Sequence, residues 1–403
     1  MKHLIPSRQT RPSGDVIFAL NAEASKRRAA GEKVVNATLG SLMNDDGTLA
    51  LLQTASATVH AVGKEEWAAY APIPGTPDFL KAVIHDTLQS VPSLKASAVA
   101  VATPGGTGAL RHAIMNYLEP GQALLTTSFF WGPYQTLVDE HDRRLETFSM
   151  FAVSGGLDVG ALEAKVADQL STQKRVLLFL NDPCQNPTGY SMSGVEWQQV
   201  VEALLRQSQQ GPITLMVDMA YWLYGSAADP RGFLQYLVPL LGKVGLLFAW
   251  SASKSFTHYG LRVGALISCV DDEAERAATD AALAYACRGT WSNCTRGGLS
   301  AVTKLLTDSA LAAACTVERE KLKQTLSDRV HAFNELARAK GLVYPRYEGG
   351  FFVTVFSNDA FGLAKQMKEK GVFVVPQKGA VRVALCSVAL NDVQRVVEAL
   401  SAR

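Results

Sequence analysis

Seven short apolar runs, spread over residues 97–269 and bounded by turn residues, restrict the folds open to this chain more than any other feature of it. They are SAVAVAT, QALLTTS, LETFSMF, RVLLFLND, ITLMVDMA, GLLFAWS and VGALISC. Between several of them lie longer stretches of helical period, such as MSGVEWQQVVEALLRQSQQ. Near-continuous apolar strands separated by helices point to an α/β sheet covered on both faces.

After about residue 300 the texture changes. LAAACTVEREKLKQTLSDRVHAFNELARAK is one long amphipathic stretch, and GLVYPRY, GGFFVTVF, GVFVVPQ and AVRVALC read as short strands of a smaller α+β domain. The segment before Asp45 is polar and strand-poor. The expected organisation is residues 1–45 packing with the small domain, 46–305 as the large α/β domain and 306–403 as the small one. A chain of 403 residues is long enough for two such domains.

The 39 basic and 37 acidic side chains leave a formal charge of only +2. Such a balance offers no field to attract nucleic acid or an anionic membrane, although a few local arginines still suit a small anionic substrate. The six cysteines form no CxxC pair and have no histidine at metal-ligand spacing, so buried thiols in a reducing compartment are expected and a metal site is not. MKHLIPSRQTRPSGD lacks the apolar stretch of a signal peptide, and no run approaches the roughly 20 apolar residues of a membrane span. The cytoplasm is the expected location.

Four segments at the ends of the expected strands carry reactive side chains. GLLFAWS runs out into small, polar residues before Lys254 in WSASKSFTHYGLRVG, where Ser251, Ser253 and Arg262 supply phosphate donors around one loop. Alone, any such lysine would read as a solvated surface charge; the setting is what favours the reactive reading. Asp218 closes ITLMVD and is followed by Tyr221, although an Asp at a strand end is often only a turn former. NDPCQNPTGY places Asn186 in a turn after RVLLFL, and NPTG by itself is ordinary turn chemistry. ATPGGTGAL follows SAVAVAT and opens a helical pattern, which makes the N–H groups of Gly106 and Thr107 an anion site at a helix N-terminus. A nucleotide loop is the other reading of those glycines, but neither GxGxxG nor a GK[ST] ending is present. Together these segments meet the needs of pyridoxal phosphate: an amine for an imine, an acid for the pyridine nitrogen, a donor for the phenolic oxygen and a phosphate cup. All lie at strand ends, and parallel sheets bind ligands beyond their carboxyl ends.

In this order, NPTG, then D-x-A-Y, then S-x-S-K followed by Arg262 resemble the fold-type I pyridoxal-phosphate aminotransferases, most closely the aspartate and aromatic branch, over nearly the whole chain. The resemblance implies a mainly parallel seven-stranded sheet in a large domain beside a smaller α+β domain. By it, Lys254 holds the cofactor as a Schiff base and shuttles the substrate's α-proton. Asp218 binds the pyridine nitrogen, and Tyr221 with Asn186 the phenolic oxygen. Arg262, Ser251, Gly106 and Thr107 hold the phosphate, and Trp131 stacks on the ring. Tyr70 matches a tyrosine that reaches the neighbouring subunit's phosphate, which implies a homodimer with shared sites.

On the substrate side, the resemblance gives Arg382 the α-carboxylate, with Gly40 beside it. Arg288 resembles the neighbouring subunit's arginine for a side-chain carboxylate, but Cys294 and Thr295 replace the usual proline pair there, and Arg296 competes for the role. Gly105 replaces a serine of the phosphate loop, and Tyr134 in WGPY replaces a histidine that supports the cofactor-binding Asp. Tyr134 and Phe352 also suit an aromatic pocket. The implied activity moves an amino group from an acidic or aromatic L-amino acid to a 2-oxo acid such as 2-oxoglutarate. A lyase of the same fold acting on a β-substituted amino acid is the alternative. A DNA-binding regulator is a poorer reading, because the near-neutral charge offers no DNA face.

Overall fold

The chain, seen in a computed structural model, is described over residues 3–12 and 14–401; Met1, Lys2 and Ser13 of the N-terminal segment lie outside these residues. It divides into two compact units, one of Ala50–Ser327 with Pro345–Gly350 and one of Met1–Leu49, Asp328–Tyr344 and Phe351–Arg403.

All seven apolar runs of the larger unit form strands: β1 (Ala98–Thr103), β2 (Ala123–Thr127), β3 (Arg144–Phe148), β4 (Val176–Asn181), β5 (Ile213–Asp218), β6 (Gly245–Ser251) and β7 (Gly264–Cys269). They make one sheet in the order β1-β7-β6-β5-β4-β2-β3. Every pairing is parallel except those of β7, which runs antiparallel to both β1 and β6. Alternation along each strand divides its side chains between two cores. Leu178 and Leu180 of β4, Leu215 and Val217 of β5, and Phe248 and Trp250 of β6 enter one cluster. Leu177, Phe179, Met216, Leu247 and Ala249 enter the other. A sheet with an apolar layer on each face needs mainly apolar strands, as the runs are except at the edge, where β3 carries Arg144 and Glu146. The parallel order also places the carboxyl ends of β1, β2, β4, β5 and β6 on one edge, and antiparallel β7 begins there.

Helix α1 (Gly105–Tyr117) leaves β1 and contributes His112 to the second core. The imidazole is fully buried and stacks on Trp291, with centroids 4.3 Å apart and planes at 20°. Its Nε2 lies 3.4 Å from Cys287 Sγ. Burial, aided by the charge of neighbouring Arg111, lowers the His112 pKa from 6.5 to about 4. Between those values the unfolded chain takes up a proton that the folded chain refuses. Stability is therefore whole above about pH 6.5 and falls as pH drops through the window, by about 1.4 kcal/mol per pH unit at the steepest. His112→Phe is expected to flatten this acid limb in a plot of melting temperature against pH; an unchanged limb would remove His112 as its cause.

Helix α2 (Gly194–Gln207) is closed at its N-terminus by a capping box between Ser193 and Glu196. Further along come α3 (Ala252–Ser255), α4 (Glu273–Thr290), α5 (Arg296–Thr307) and the 31-residue α6 (Ser309–Ala339). The boundary between the units falls inside α6, at Ser327 and Asp328, and not where the sequence texture changes near residue 305. The texture marks the start of a helix whose first half still packs in the larger unit, through Leu311, Cys315 and Leu322.

In the smaller unit, β8 (Val353–Phe356), β9 (Val375–Gln377) and β10 (Ala380–Val383) form an antiparallel sheet in the order β9-β10-β8. Val35–Asn36 pairs in parallel with Val372–Phe373, which ties the N-terminal segment to this unit. GLVYPRY, read above as a strand, is irregular. Pro345 has no N–H to offer a ladder, and over Pro345–Gly350 the chain belongs to the larger unit, where Arg346 binds Glu196 at 3.0 Å. Among the described residues, no helix is long and apolar enough to cross a membrane, and no group of three or more His, Cys, Asp or Glu is placed to hold a metal ion.

Candidate active site

The edge of the sheet where these strand ends meet holds a cavity in the larger unit. Ten of the expected residues line it: Lys254, Asp218, Tyr221, Asn186, Arg262, Ser251, Ser253, Gly106, Thr107 and Trp131. Asn181, Leu110 and Ala220 line it as well.

One end is built for an anion. The first turn of α1 carries no side-chain cap, so its N–H groups are available there. Arg262 closes this end from the loop before β7. Its Nη1 donates to Ser253 Oγ at 3.2 Å and its Nη2 to the Pro104 carbonyl at 3.3 Å, while Ser251 Oγ accepts from the Ser253 N–H at 3.2 Å. Gly105 takes a φ of +70°, and a Cβ there would run into the Arg262 guanidinium. The departure at Gly105 thus costs one hydroxyl but leaves room for the arginine.

At the other end stand an amine and an acid. Lys254 projects from α3, whose N-terminus is capped by Ser251, and its carbonyl accepts from Tyr224 OH at 3.1 Å. Its Nζ lies 5.1 Å from the Tyr221 ring centroid. Asp218 is buried at the last position of β5. Its Oδ2 accepts from Tyr134 OH at 2.7 Å and its Oδ1 from the Ala220 N–H at 3.2 Å. Burial raises the Asp218 pKa, against the opposing pull of the Tyr134 hydrogen bond, the Ala220 N–H and the Lys254 charge. Tyr134 is itself fully buried, and burial and the Asp218 charge push its pKa well above 10, so it remains a proton donor. Tyr134, which stands where the resemblance has a supporting histidine, thus holds the acid itself.

Asn181 was not among the expected residues. Its Nδ2 donates to the Asp218 carbonyl at 2.7 Å, and its Oδ1 accepts from the Asn186 N–H at 2.7 Å. Asn186 in turn donates to Tyr221 OH at 3.3 Å. The only hint of Asn181 in the sequence is its place as the polar end of an apolar strand. Trp131 meets Tyr134 edge to face, with centroids 5.8 Å apart and planes at 89°.

The remaining expected residues lie elsewhere. Gly40 and Arg382 come together within the smaller unit, with Phe352 between them. Arg382 is buried, donates to the Thr38 carbonyl at 2.6 Å and lies 4.6 Å from the Phe352 ring centroid. A Cβ on Gly40 would stand 2.6 Å from Phe352 Cζ, so only glycine fits against that ring. Tyr70 is 86% exposed and outside the cavity. Arg288, exposed on α4, donates to Ser292 Oγ at 2.6 Å. Arg296 is held by both oxygens of Glu66, at 2.9 and 3.1 Å. Of the two competing arginines, Arg296 thus already carries a carboxylate.

Curated relatives bear the names aromatic-amino-acid, aspartate and tyrosine aminotransferase. The chain is 28% identical over 237 residues to the aromatic-amino-acid aminotransferase of Pseudomonas aeruginosa, a match that covers 58% of this chain but only 57% of that relative's length. The crystal structure of an aminotransferase from Anaerococcus prevotii is similar over 100% of this chain and 99% of its own, with a TM-score of 0.91 and 29% identity. The aromatic-amino-acid aminotransferase of Burkholderia pseudomallei, solved covalently bound to pyridoxal phosphate, shares the fold at a TM-score of 0.81 and 21% identity, over 99% of each chain. The family described as aminotransferase class I and II matches residues 32–400, and with nearly its whole length so matched this protein is a member of the class I and II aminotransferases.

Proposed function

We propose that this chain moves the amino group of an acidic or aromatic L-amino acid to a 2-oxo acid such as 2-oxoglutarate, using pyridoxal phosphate held on Lys254. The observation that carries the reading is the buried Asp218 carboxyl in one cavity with the Lys254 amine and an anion cradle. The donor set fits the cofactor. The guanidinium, hydroxyls and helix N–H groups suit a phosphate, and a raised, buried carboxyl suits a cationic ring nitrogen that restores its charge. A Cβ on Gly106 would sit 3.5 Å from Ser251 Cβ and fill part of the cradle.

When bound, pyridoxal phosphate draws electrons from the substrate's α-carbon. Lys254 anchors it and then carries the α-proton on Nζ. Asp218, with Tyr134 as its donor, holds the positive charge of the ring nitrogen. Tyr221 and Asn186 donate to the phenolic oxygen, and Trp131 supports the ring face. Arg382 clamps the substrate's α-carboxylate in two-pronged fashion, with Gly40 beside it. We assign the active form as a homodimer, in which the exposed Tyr70 and Arg288 serve the neighbouring site, and the location as the cytoplasm, in keeping with six buried free thiols.

The test is a half-reaction. Cofactor-loaded enzyme given an amino donor with no 2-oxo acid should pass from the aldehyde to the amine absorbance band, with one equivalent of 2-oxo acid released per site. Release of ammonia with the aldehyde band retained would reject amino transfer in favour of the lyase. Across a donor screen, Arg288→Ala is expected to weaken kcat/KM for acidic donors by about 10–100-fold, the worth of a charged hydrogen bond, and to spare aromatic donors. Equal losses for both would reject its distal-carboxylate role.

A further inference from the structure

Behind the Lys254 loop, in the same unit, lies a separate cavity of about 440 Å³, walled by Ser255, Phe256, Arg319 and parts of α5 and α6. Its charges do not balance. Arg231 is paired with Asp86 at 2.6 Å, and Lys323 with Glu320 at 3.1 Å. Arg319 has no ion-pair partner among the described residues. Its Nε and Nη2 both donate to the Ser255 carbonyl, at 3.0 and 2.9 Å, and its guanidinium lies 5.7 Å from the Phe256 ring centroid. On the same wall, the Ser255 hydroxyl is buried with no hydrogen-bond partner, on a residue only 3% exposed. A half-buried cation without a counter-ion and an orphaned buried hydroxyl each cost free energy unless something binds them. The rest of the wall is mixed: Phe256, Leu223, Leu305 and Leu306 make an apolar part of it, beside polar His85, Gln89 and Thr316.

We propose that this cavity is a second binding site, for a small organic anion whose carboxylate pairs with Arg319 and the Ser255 hydroxyl and whose apolar body lies against Phe256 and Leu305. One unbalanced positive charge calls for a monoanion, and the apolar part of the wall around Phe256 and Leu305 gives a hydrocarbon body a surface that free phosphate would not use. The site is distinct from the amino-transfer cavity, with which it shares no lining residue. It nonetheless adjoins it along the chain, since Arg319 holds the carbonyl of the residue after Lys254.

Benzoate is a suitable probe, titrated calorimetrically into cofactor-loaded enzyme while the cofactor's visible band reports active-site occupancy separately. The expected result is a binding event silent in the visible band. Arg319→Met should weaken it by about tenfold or more, and Ser255→Ala by about fivefold. Lys323→Met, which alters a cation already paired, should leave it unchanged. The site is rejected if wild-type enzyme shows no silent event up to about 10 mM benzoate, a limit too weak for a built site. It is rejected equally if Arg319→Met binds as the parent does. Should Arg319→Met melt below the assay temperature, Ser255→Ala decides, and parental affinity in that variant overturns the proposal.

Discussion

Replacing Lys254 by alanine is expected to lower kcat by at least about 10⁴-fold, because one side chain is given both the cofactor's anchor and the α-proton. The fold should survive. Lys254 is only partly buried, and what holds its loop is backbone chemistry: the Ser251 cap, the Tyr224 bond to the Lys254 carbonyl and the Arg319 bonds to the Ser255 carbonyl. A melting curve close to the parent's, together with loss of turnover, is the expected pair of measurements. Borohydride reduction followed by peptide mapping adds an independent readout, with the cofactor's mass found on residue 254 of the parent and on no peptide of the variant. A label on another lysine, or turnover comparable to the parent's, would remove Lys254 from the mechanism.

Asp218→Asn should cost about 10²–10³-fold in kcat, since it leaves a buried cationic nitrogen opposite a neutral amide, and breaking a buried ion pair costs about 3–5 kcal/mol. The amide keeps the shape and the contact with Tyr134, so a large loss would report charge alone. Tyr134→Phe gives the graded comparison. It removes one donor to a charged acceptor, about 1.5 kcal/mol and roughly tenfold, and takes away a contact that lowers the Asp218 pKa, so the carboxyl rises further. Cofactor affinity should follow the same order, with Asp218→Asn weaker than Tyr134→Phe. If Asp218→Asn turned over as well as Tyr134→Phe, the acid would not be the electrostatic partner assigned to it.

Strands β1, β2 and β4 to β7 were legible in sequence because a strand covered on both faces must be mainly apolar along its length, and that requirement is met within five to seven neighbouring residues; edge strand β3, with Arg144 and Glu146, is legible only by its apolar positions. Several of the residues lining the cavity were legible for a related reason. Gly106, Asn186, Asp218 and Lys254 each follow or close one of those runs, so locating the strands also located them at one edge once the strands lay side by side, whereas Asn181, which also closes a run, went unread. The antiparallel course of β7 carried no such signal, since a run apolar on both faces reads the same in either direction.

What the linear order could not decide were contacts made across long separations. Tyr134 reaches Asp218 from 84 residues away, Glu66 takes Arg296 from 230, and Arg382 donates to the Thr38 carbonyl from 344. Nothing next to any of these residues names its partner. The sequence by itself determined the seven strands, the kind of sheet they build and the reactive groups at its edge, because those follow from local apolarity and turn chemistry. Only the tertiary structure decided that a tyrosine holds the buried acid, that Phe352 requires glycine at position 40 and that one arginine is already paired, because packing alone selects among side chains distant in sequence.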